Sequence, residues 1–216
     1  MVKHLLLDLD GTLYPGSARI LAENTRRMIC FIAELLCVSF EEARTLRANR
    51  KPQFGTTLEW LQAEHGLDGP DKDEKAWHYM RYVHPEEELL EVAFDPHIRP
   101  FLQSLHLPMT VLTNAPAFHA ERILRFLQID DLFLGIWDVV RSGFKGKPHR
   151  NAYSGALSLS GYTIEETLFA DDYAQYVQGY MDSGGRAVLV NDDQSEWEKA
   201  PSAPHIDSIY EIGRFL

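Results

Sequence analysis

Short apolar runs recur along the chain, and each closes on acidic, glycine or other polar residues. HLLLDL (His4–Leu9), MTVLTN (Met109–Asn114), GIWDVV (Gly135–Val140), TLFADD (Thr167–Asp172) and RAVLV (Arg186–Val190) are rich in Val, Leu, Ile or aromatic residues. Runs this short, bounded by turn residues, predict buried strands. Between most of them the period changes to that of a helix. Phe118–Leu127 carries Ile123, Leu124, Phe126 and Leu127, and Asn151–Leu159 carries Tyr153, Ala156, Leu157 and Leu159. Strands alternating with helices predict an α/β fold with a mostly parallel sheet and right-handed crossovers.

The stretch from 15 to 95 breaks this alternation and reads as helix after helix. Leu21–Leu36 has Met28, Ile29, Ile32, Leu35 and Leu36 at helical spacing. Phe40–Asn49 follows Ser39, with Glu42 placed to complete a capping box. Thr57–His65 carries Leu58, Trp60 and Leu61, and Asp73–Val83 carries Trp77, Tyr79 and Met80. The acidic tracts EHGLDGPDKDE and HPEEELLE predict exposed loops or helix starts. Pro96 and Pro100 mark a change of element, so the chain should return to the sheet near Phe94–Pro100. The expected organisation is a core of residues 1–14 and 96–216, with an all-helical insertion at 15–95.

The 216 residues suffice for one α/β domain with a small insertion, and 45% hydrophobic with 25% charged residues is ordinary for a globular chain. No stretch of about 18 apolar residues predicts a membrane span. At the N-terminus only Leu5–Leu7 precede Asp8, too short a run for a signal peptide, so a cytoplasmic protein without membrane partners is expected. The net charge is −11 and the basic residues are scattered, which argues against a nucleic-acid polymer as partner. An acidic protein that handles phosphate must build its own local positive field, and a metal ion with a lysine could supply it. Cys30 and Cys37 on one helix would lie about 10 Å apart along its axis, too far for a disulfide. Two buried thiols are the expectation. Nothing in the chain indicates an oligomeric state.

Four places carry candidate chemistry. Asp8-Leu9-Asp10-Gly11-Thr12 closes the first strand, and ligands of open α/β sheets bind beyond the carboxyl ends of strands. Residues 8 and 10 of a strand share a face. Two carboxylates at about 4 Å repel by roughly 4 kcal/mol at an effective dielectric of 20. The pair therefore suits a divalent cation or a retained proton, or else it is an acidic turn capping the next element. Thr113-Asn114 closes the next strand, where a hydroxyl beside exposed backbone N–H groups can bind phosphate, although both types are also common in turns. Lys147-Pro148 precedes a helix, with Pro148 expected in its first turn and Lys147 at an N-terminus that favours anions. Lys145 competes for that role, and a solvated basic loop is the bland alternative. His149 reads as a loop or first-turn residue. Asp171-Asp172 closes a further strand and offers hard oxygen ligands of the kind Mg²⁺ prefers, or a helix cap.

The order Asp-x-Asp-Gly-Thr, Thr, Lys-Pro, Asp-Asp, each at or after a strand, resembles the haloacid dehalogenase superfamily of phosphohydrolases over nearly the whole chain. The resemblance implies a Rossmann-like, doubly wound core with the first strand central, and a helical cap formed by the insertion. It implies that Asp8 is a nucleophile forming an aspartyl-phosphate, and that Asp10 protonates the leaving oxygen and then activates water. Thr113 and Asn114 would bind the phosphoryl group, and Lys147 would hold it against Asp8. Mg²⁺ would be bound by Asp8, by the Asp10 backbone carbonyl, by Asp172, and by Asp171 directly or through water. DLDGTLYP, KPQFGTTLEWL, LTNAPAFHAERILRFLQIDDLF and GKPHRNAY are most similar to the pyrimidine 5′-nucleotidase-like branch. By that likeness Phe54, Gly55 and Thr56 would face a small phosphate ester, with Arg47 and Lys51 near its phosphate or base. Helix packing and solvation would also account for these cap residues.

One departure stands out. Relatives often read Asp-Asp-Ser, then two intervening residues and an Asn, and here Tyr173 and Tyr176 hold the Ser and Asn positions. That Asn would ordinarily support the metal site, so its replacement points to weak metal binding, a rearranged surround or reduced activity. The function expected is hydrolysis of small phosphate monoesters, nucleoside monophosphates first and phosphosugars or phosphoglycolate next. A phosphomutase and a non-catalytic binding protein are the alternatives. A dehalogenase is disfavoured, because halide needs no leaving-group acid and Asp10 would be idle.

Overall fold

The computed structural model describes residues 1–67 and 72–216. Its sheet is formed by β1 (His4–Leu7), β2 (Met109–Leu112), β3 (Phe133–Trp137), β4 (Thr167–Asp171), β5 (Arg186–Val190) and β6 (His205–Ile206). The strands lie in the order β3-β2-β1-β4-β5-β6, and each neighbouring pair is parallel. This is the expected Rossmann-like arrangement, with β1 central. The chain winds one way from β1 to β3 and the other way from β4 to β6. The reversal between β1 and β4 opens a crevice at their carboxyl ends.

The helices are α1 (Arg19–Leu36), α2 (Phe40–Arg50), α3 (Thr57–Glu64), α4 (Lys72–Val83), α5 (Ile98–Ser104), α6 (Ala117–Phe126), α7 (Arg150–Ser160), α8 (Ala174–Asp182) and the short α9 (Gln194–Trp197). Contacts divide the chain into two compact units, Met1–Ala18 with Ala93–Leu216, and Arg19–Val92. In the first unit, all four residues of β1 are buried, and Leu6 joins Phe169, Tyr153, Tyr180 and Leu189 in one apolar cluster. The rings of Tyr153, Phe169 and Tyr180 meet with centroids 5.1–5.6 Å apart. Packing these aromatics buries large apolar areas behind β1 and β4 and sets their ends rigidly.

Every regular element described in the second unit is a helix. Ser39 caps α2 as the pattern predicts: its hydroxyl accepts from the Glu42 N–H, and Glu42 reaches back to the Ser39 N–H. Phe31 meets Tyr79 and Tyr82 edge-on, at 5.0 and 5.4 Å between centroids. HPEEELLE differs from expectation. Glu86–Glu91 forms a 3-10 helix, and His84 and Glu88 are buried rather than exposed, with Nδ1 3.2 Å from Oε2. Burial follows because the two polar groups satisfy each other. Part of EHGLDGPDKDE lies outside the described residues. The thiols are free but not both buried: Cys30 is half-buried in α1 and Cys37 is exposed just beyond it. Pro100 does not end an element, since it lies in the first turn of α5, where a missing N–H costs nothing. None of the described helices is long and apolar enough to cross a membrane.

Candidate active site

Register alone brings the acidic strand ends together. Leu7 pairs with Ala170 of β4 and with Val111 of β2. Asp8 therefore leaves the sheet beside Asp171, and its N–H donates to the Ala170 carbonyl at 2.9 Å. Thr113 emerges from the same end of β2. Carboxylate oxygens of Asp8, Asp171 and Asp172 all lie within 4.8 Å of one another.

Lys147 ties this group together. Its Nζ donates to Asp8 Oδ1 and to Asp171 Oδ2, each at 2.6 Å, and the side chain is only 1% exposed. Lys145 is exposed. The Lys147 ammonium also stands 5.2 Å from the ring centre of Tyr176 and 5.7 Å from that of Phe169, within cation–π range. Pro148 is not in the first turn of α7. A cis peptide joins it to Lys147, and His149 stands at the N-cap position, without a side-chain capping bond, of a helix that starts at Arg150. The loop is held by Asn114, whose Nδ2 donates to the Lys147 carbonyl at 3.0 Å and whose Oδ1 accepts the Lys147 N–H at 2.7 Å. Asn114, expected at the substrate, thus clamps the lysine backbone. Gly146 permits the clamp, since a Cβ there would sit 1.9 Å from Asn114 Oδ1.

The electrostatics are lopsided. Three carboxyl groups face one ammonium, so full ionisation would leave an excess of two negative charges. Burial pushes the Asp8 carboxyl well above its usual range; Asp171 and Asp10 add to the shift and Lys147 opposes it. Asp172 moves the same way, through burial first and then Asp171 and Asp8. Burial alone would depress Lys147, but Asp171 and Asp8 outweigh it and hold the ammonium above its ordinary value. Hard oxygen donors with two excess negative charges fit a divalent cation such as Mg²⁺. The carboxylate of Asp10 is not one of this trio; the ligand expected from residue 10 was its backbone carbonyl.

Asp10 is instead gripped from two sides. His119 Nε2 lies 2.8 Å from its Oδ1, and the Tyr14 hydroxyl donates to the same oxygen in a short hydrogen bond. His119 and Tyr14 are buried. Sequence reasoning named neither residue, although both fall within the stretches quoted for the resemblance. The signal was their position, Tyr14 one turn after Asp10 and His119 in the first turn of the helix that follows β2.

Around this centre, Thr113 is 1% exposed, and its Oγ1 accepts the Ala115 N–H at 3.0 Å. The Tyr173 N–H donates to Asp171 Oδ1 at 2.8 Å, and Asn191 Nδ2 donates to the Asp172 carbonyl at 2.8 Å. Tyr173 and Tyr176 pack against each other with centroids 4.8 Å apart. Asn191 thus holds Asp172, although the sequence offered no sign of it. Arg47, Lys51, Phe54, Gly55 and Thr56 lie in the helical unit. There Arg47 Nε donates to Thr57 Oγ1, Thr56 caps α3, and the Gly55 N–H donates to Glu59.

Residues 2–174 match the haloacid dehalogenase-like hydrolase family. The fold is shared with solved structures of low sequence identity. A predicted phosphatase from Clostridium acetobutylicum superposes with a TM-score of 0.69 at 17% identity, over 99% of this chain and 97% of that one. A β-phosphoglucomutase from Clostridium difficile gives 0.66 at 16% identity, over 98% and 93%. An L-2-haloacid dehalogenase from Xanthobacter autotrophicus, with chloropropionic acid covalently bound, gives 0.59 at 16%, over 99% and 98%.

Proposed function

Because the chain belongs to the haloacid dehalogenase-like hydrolase family, we propose that it is a phosphatase acting on small phosphate monoesters through Asp8. The observation that carries this reading is the buried Lys147 ammonium, shared at 2.6 Å between Asp8 and Asp171, beside a second carboxylic acid at residue 10. A carbon–halogen bond breaks without a proton, so a halide-releasing enzyme has no use for Asp10. A leaving alkoxide needs one.

Asp8 and Asp172, with Asp171 and the backbone carbonyl of Asp10, would hold Mg²⁺. Bound there, the ion supplies positive charge against the phosphoryl oxygens and the nucleophile. The rest is the work of the chain itself. Lys147 turns Asp8 toward the ester and shields its charge from the dianionic phosphate. Thr113 donates its hydroxyl to a phosphoryl oxygen. Asp8 attacks phosphorus while Asp10 gives its proton to the departing oxygen. Asp10, now ionised, takes a proton from water as that water attacks the acyl phosphate and frees Asp8. Splitting the displacement in two lowers each barrier. Nucleoside 5′-monophosphates, pyrimidine ones first, are the proposed substrates, with Arg47, Lys51 and Phe54–Thr56 as the proposed substrate contacts.

The test is turnover of a phosphate monoester panel by wild type and Asp8→Asn, each with Mg²⁺ and with EDTA. Wild type should hydrolyse members of the panel only with the metal present, and Asp8→Asn should be inactive while keeping its circular dichroism spectrum. Turnover by Asp8→Asn would overturn the nucleophile. Turnover in EDTA would overturn the metal. Release of glucose 6-phosphate from a β-glucose 1-phosphate reaction, without free phosphate, would mark a mutase instead.

A further inference from the structure

Asp10 Oδ1 receives two hydrogen bonds from buried side chains, one from the Tyr14 hydroxyl and one from His119 Nε2 at 2.8 Å. We infer that Tyr14 and His119 are positioning residues that lock the Asp10 carboxyl in one orientation and assign its transferable proton to Oδ2. This rests on the phosphatase reading above and deepens it.

Tyr14 donates to Oδ1, so Oδ1 is an acceptor, and the histidine nitrogen facing the same oxygen must carry its hydrogen. An oxygen that already accepts two hydrogen bonds is the poorer place for a third hydrogen, so a proton held by this carboxyl sits on the other oxygen. Two donors on one atom also fix both side-chain torsions of Asp10. Tyr14 belongs to the loop after β1 and His119 to α6, so the grip comes from two separate elements. His119 is fully buried, and Tyr14 is 4% exposed. Neither side chain tumbles in solvent, and the cost of ordering them falls on folding rather than on each turnover.

In the first displacement, the Asp8 oxygen bonds to phosphorus, the ester oxygen leaves, and the Oδ2 proton passes to it. In the second, water bonds to phosphorus, the Asp8 oxygen leaves, and Oδ2 takes the proton that water loses. Both transfers demand that Oδ2 face the same point in space. A carboxyl free to rotate would satisfy that demand only part of the time. Loss of the grip should therefore harm substrates in proportion to their need for a proton.

The experiment compares kcat/KM for an alkyl phosphate, whose leaving oxygen needs the proton, with that for 4-nitrophenyl phosphate, whose leaving oxygen hardly does. Wild type, Tyr14→Phe, His119→Leu and His119→Gln are measured with saturating Mg²⁺. General acid catalysis is worth about 10²–10⁴-fold. His119→Leu should lose at least tenfold on the alkyl phosphate and several-fold less on the aryl one, and Tyr14→Phe should lose less but in the same sense. His119→Gln, whose amide nitrogen can donate from nearly the same place, should recover much of the loss. KM should barely move, because neither residue is placed to bind the ester. Equal losses on both substrates, or no rescue by Gln, would overturn the positioning role while leaving the phosphatase intact. Tyr14→Phe removes one oxygen only and keeps the test open if His119→Leu folds poorly. A wild type that hydrolyses neither ester would overturn the phosphatase reading and this inference together.

Discussion

Gly11 stands at φ +87°, and a Cβ built on it would lie 2.1 Å from Asp172 Oδ2. Two constraints meet at this residue. The backbone must turn in the left-handed region, at a cost of roughly 1–2 kcal/mol for an L side chain, and the Asp172 carboxylate occupies the space a methyl group would need. Gly11→Ala should therefore push Asp172 aside. The expected outcome is a fall of roughly 10–100-fold in Mg²⁺ affinity, the scale seen when support of a metal ligand is lost, read by calorimetric titration. Unchanged affinity would mean that Asp172 does not hold the ion. Lys147 makes a second case. Removing one partner of a buried ion pair costs about 3–5 kcal/mol, because the remaining charge is left uncompensated. Lys147→Met strands Asp8 and Asp171 together, so urea unfolding at neutral pH should show a loss on that order, part of it recovered by saturating Mg²⁺. Activity should disappear in either condition. The sequence favoured Lys147 over Lys145 only by its place before Pro148 and a helix, since both stand in one basic loop. Burial separates them, and burial comes from the Asn114 clamp, a contact between residues 33 positions apart.

At the scale of elements, His4 shows how a polar residue can occupy a central strand. Its Nδ1 lies 3.1 Å from Thr167 Oγ1, and its Nε2 lies 3.0 Å from Thr110 Oγ1, joining β4, β1 and β2 through side chains. Thr167 gives its own hydrogen to the Thr163 carbonyl, so it must accept from Nδ1–H, and Nε2 accepts from Thr110. Burial lowers the ionisation of His4 from 6.5 to about 4. Between those values the unfolded chain binds a proton that the folded chain refuses. Stability is thus complete above pH 6.5 and erodes as pH falls from 6.5 toward 4. Urea unfolding should show a pH slope in that window up to one proton steeper in wild type than in His4→Leu, and parallel slopes would refute the buried neutral ring. Elements differed in how clearly they announced themselves. RAVLV reads as a strand and is one at the expected residues, because it is apolar and bounded by turns. β6 has two residues and no pattern to detect. α8 carries Gly179, which weakens a helical reading. Its reason is tertiary, since a Cβ there would meet Pro148 and the Tyr153 hydroxyl at 2.7–2.9 Å. His119 was legible as part of a helix but not as a partner of Asp10, because 109 positions separate them and only the fold closes that gap.

For the whole molecule, the excess of acidic residues sets a problem that the site solves only locally. The chain carries −11, while the proposed substrate is a dianion. A field of that sign repels phosphate esters at a distance, and the attraction of Lys147 and a bound cation is felt only close in, since exposed charges are screened beyond about 8–10 Å at moderate salt. Most enzymes that steer a charged ligand lose association rate as salt is added. Here the sign of the long-range term is reversed. Raising ionic strength from about 10 to about 150 mM with a non-coordinating salt, at fixed free Mg²⁺, should therefore raise kcat/KM a few-fold for a dianionic phosphate monoester. The rise should sit in KM, with kcat nearly level, because chemistry inside a buried site is screened far less than approach to it. A neutralised variant, with the exposed Glu41, Glu86, Glu87 and Glu198 changed to Gln, should start higher at low salt and respond less. If kcat/KM instead falls steadily with salt in wild type, the approach of substrate is governed by a local positive surface strong enough to outweigh the net charge.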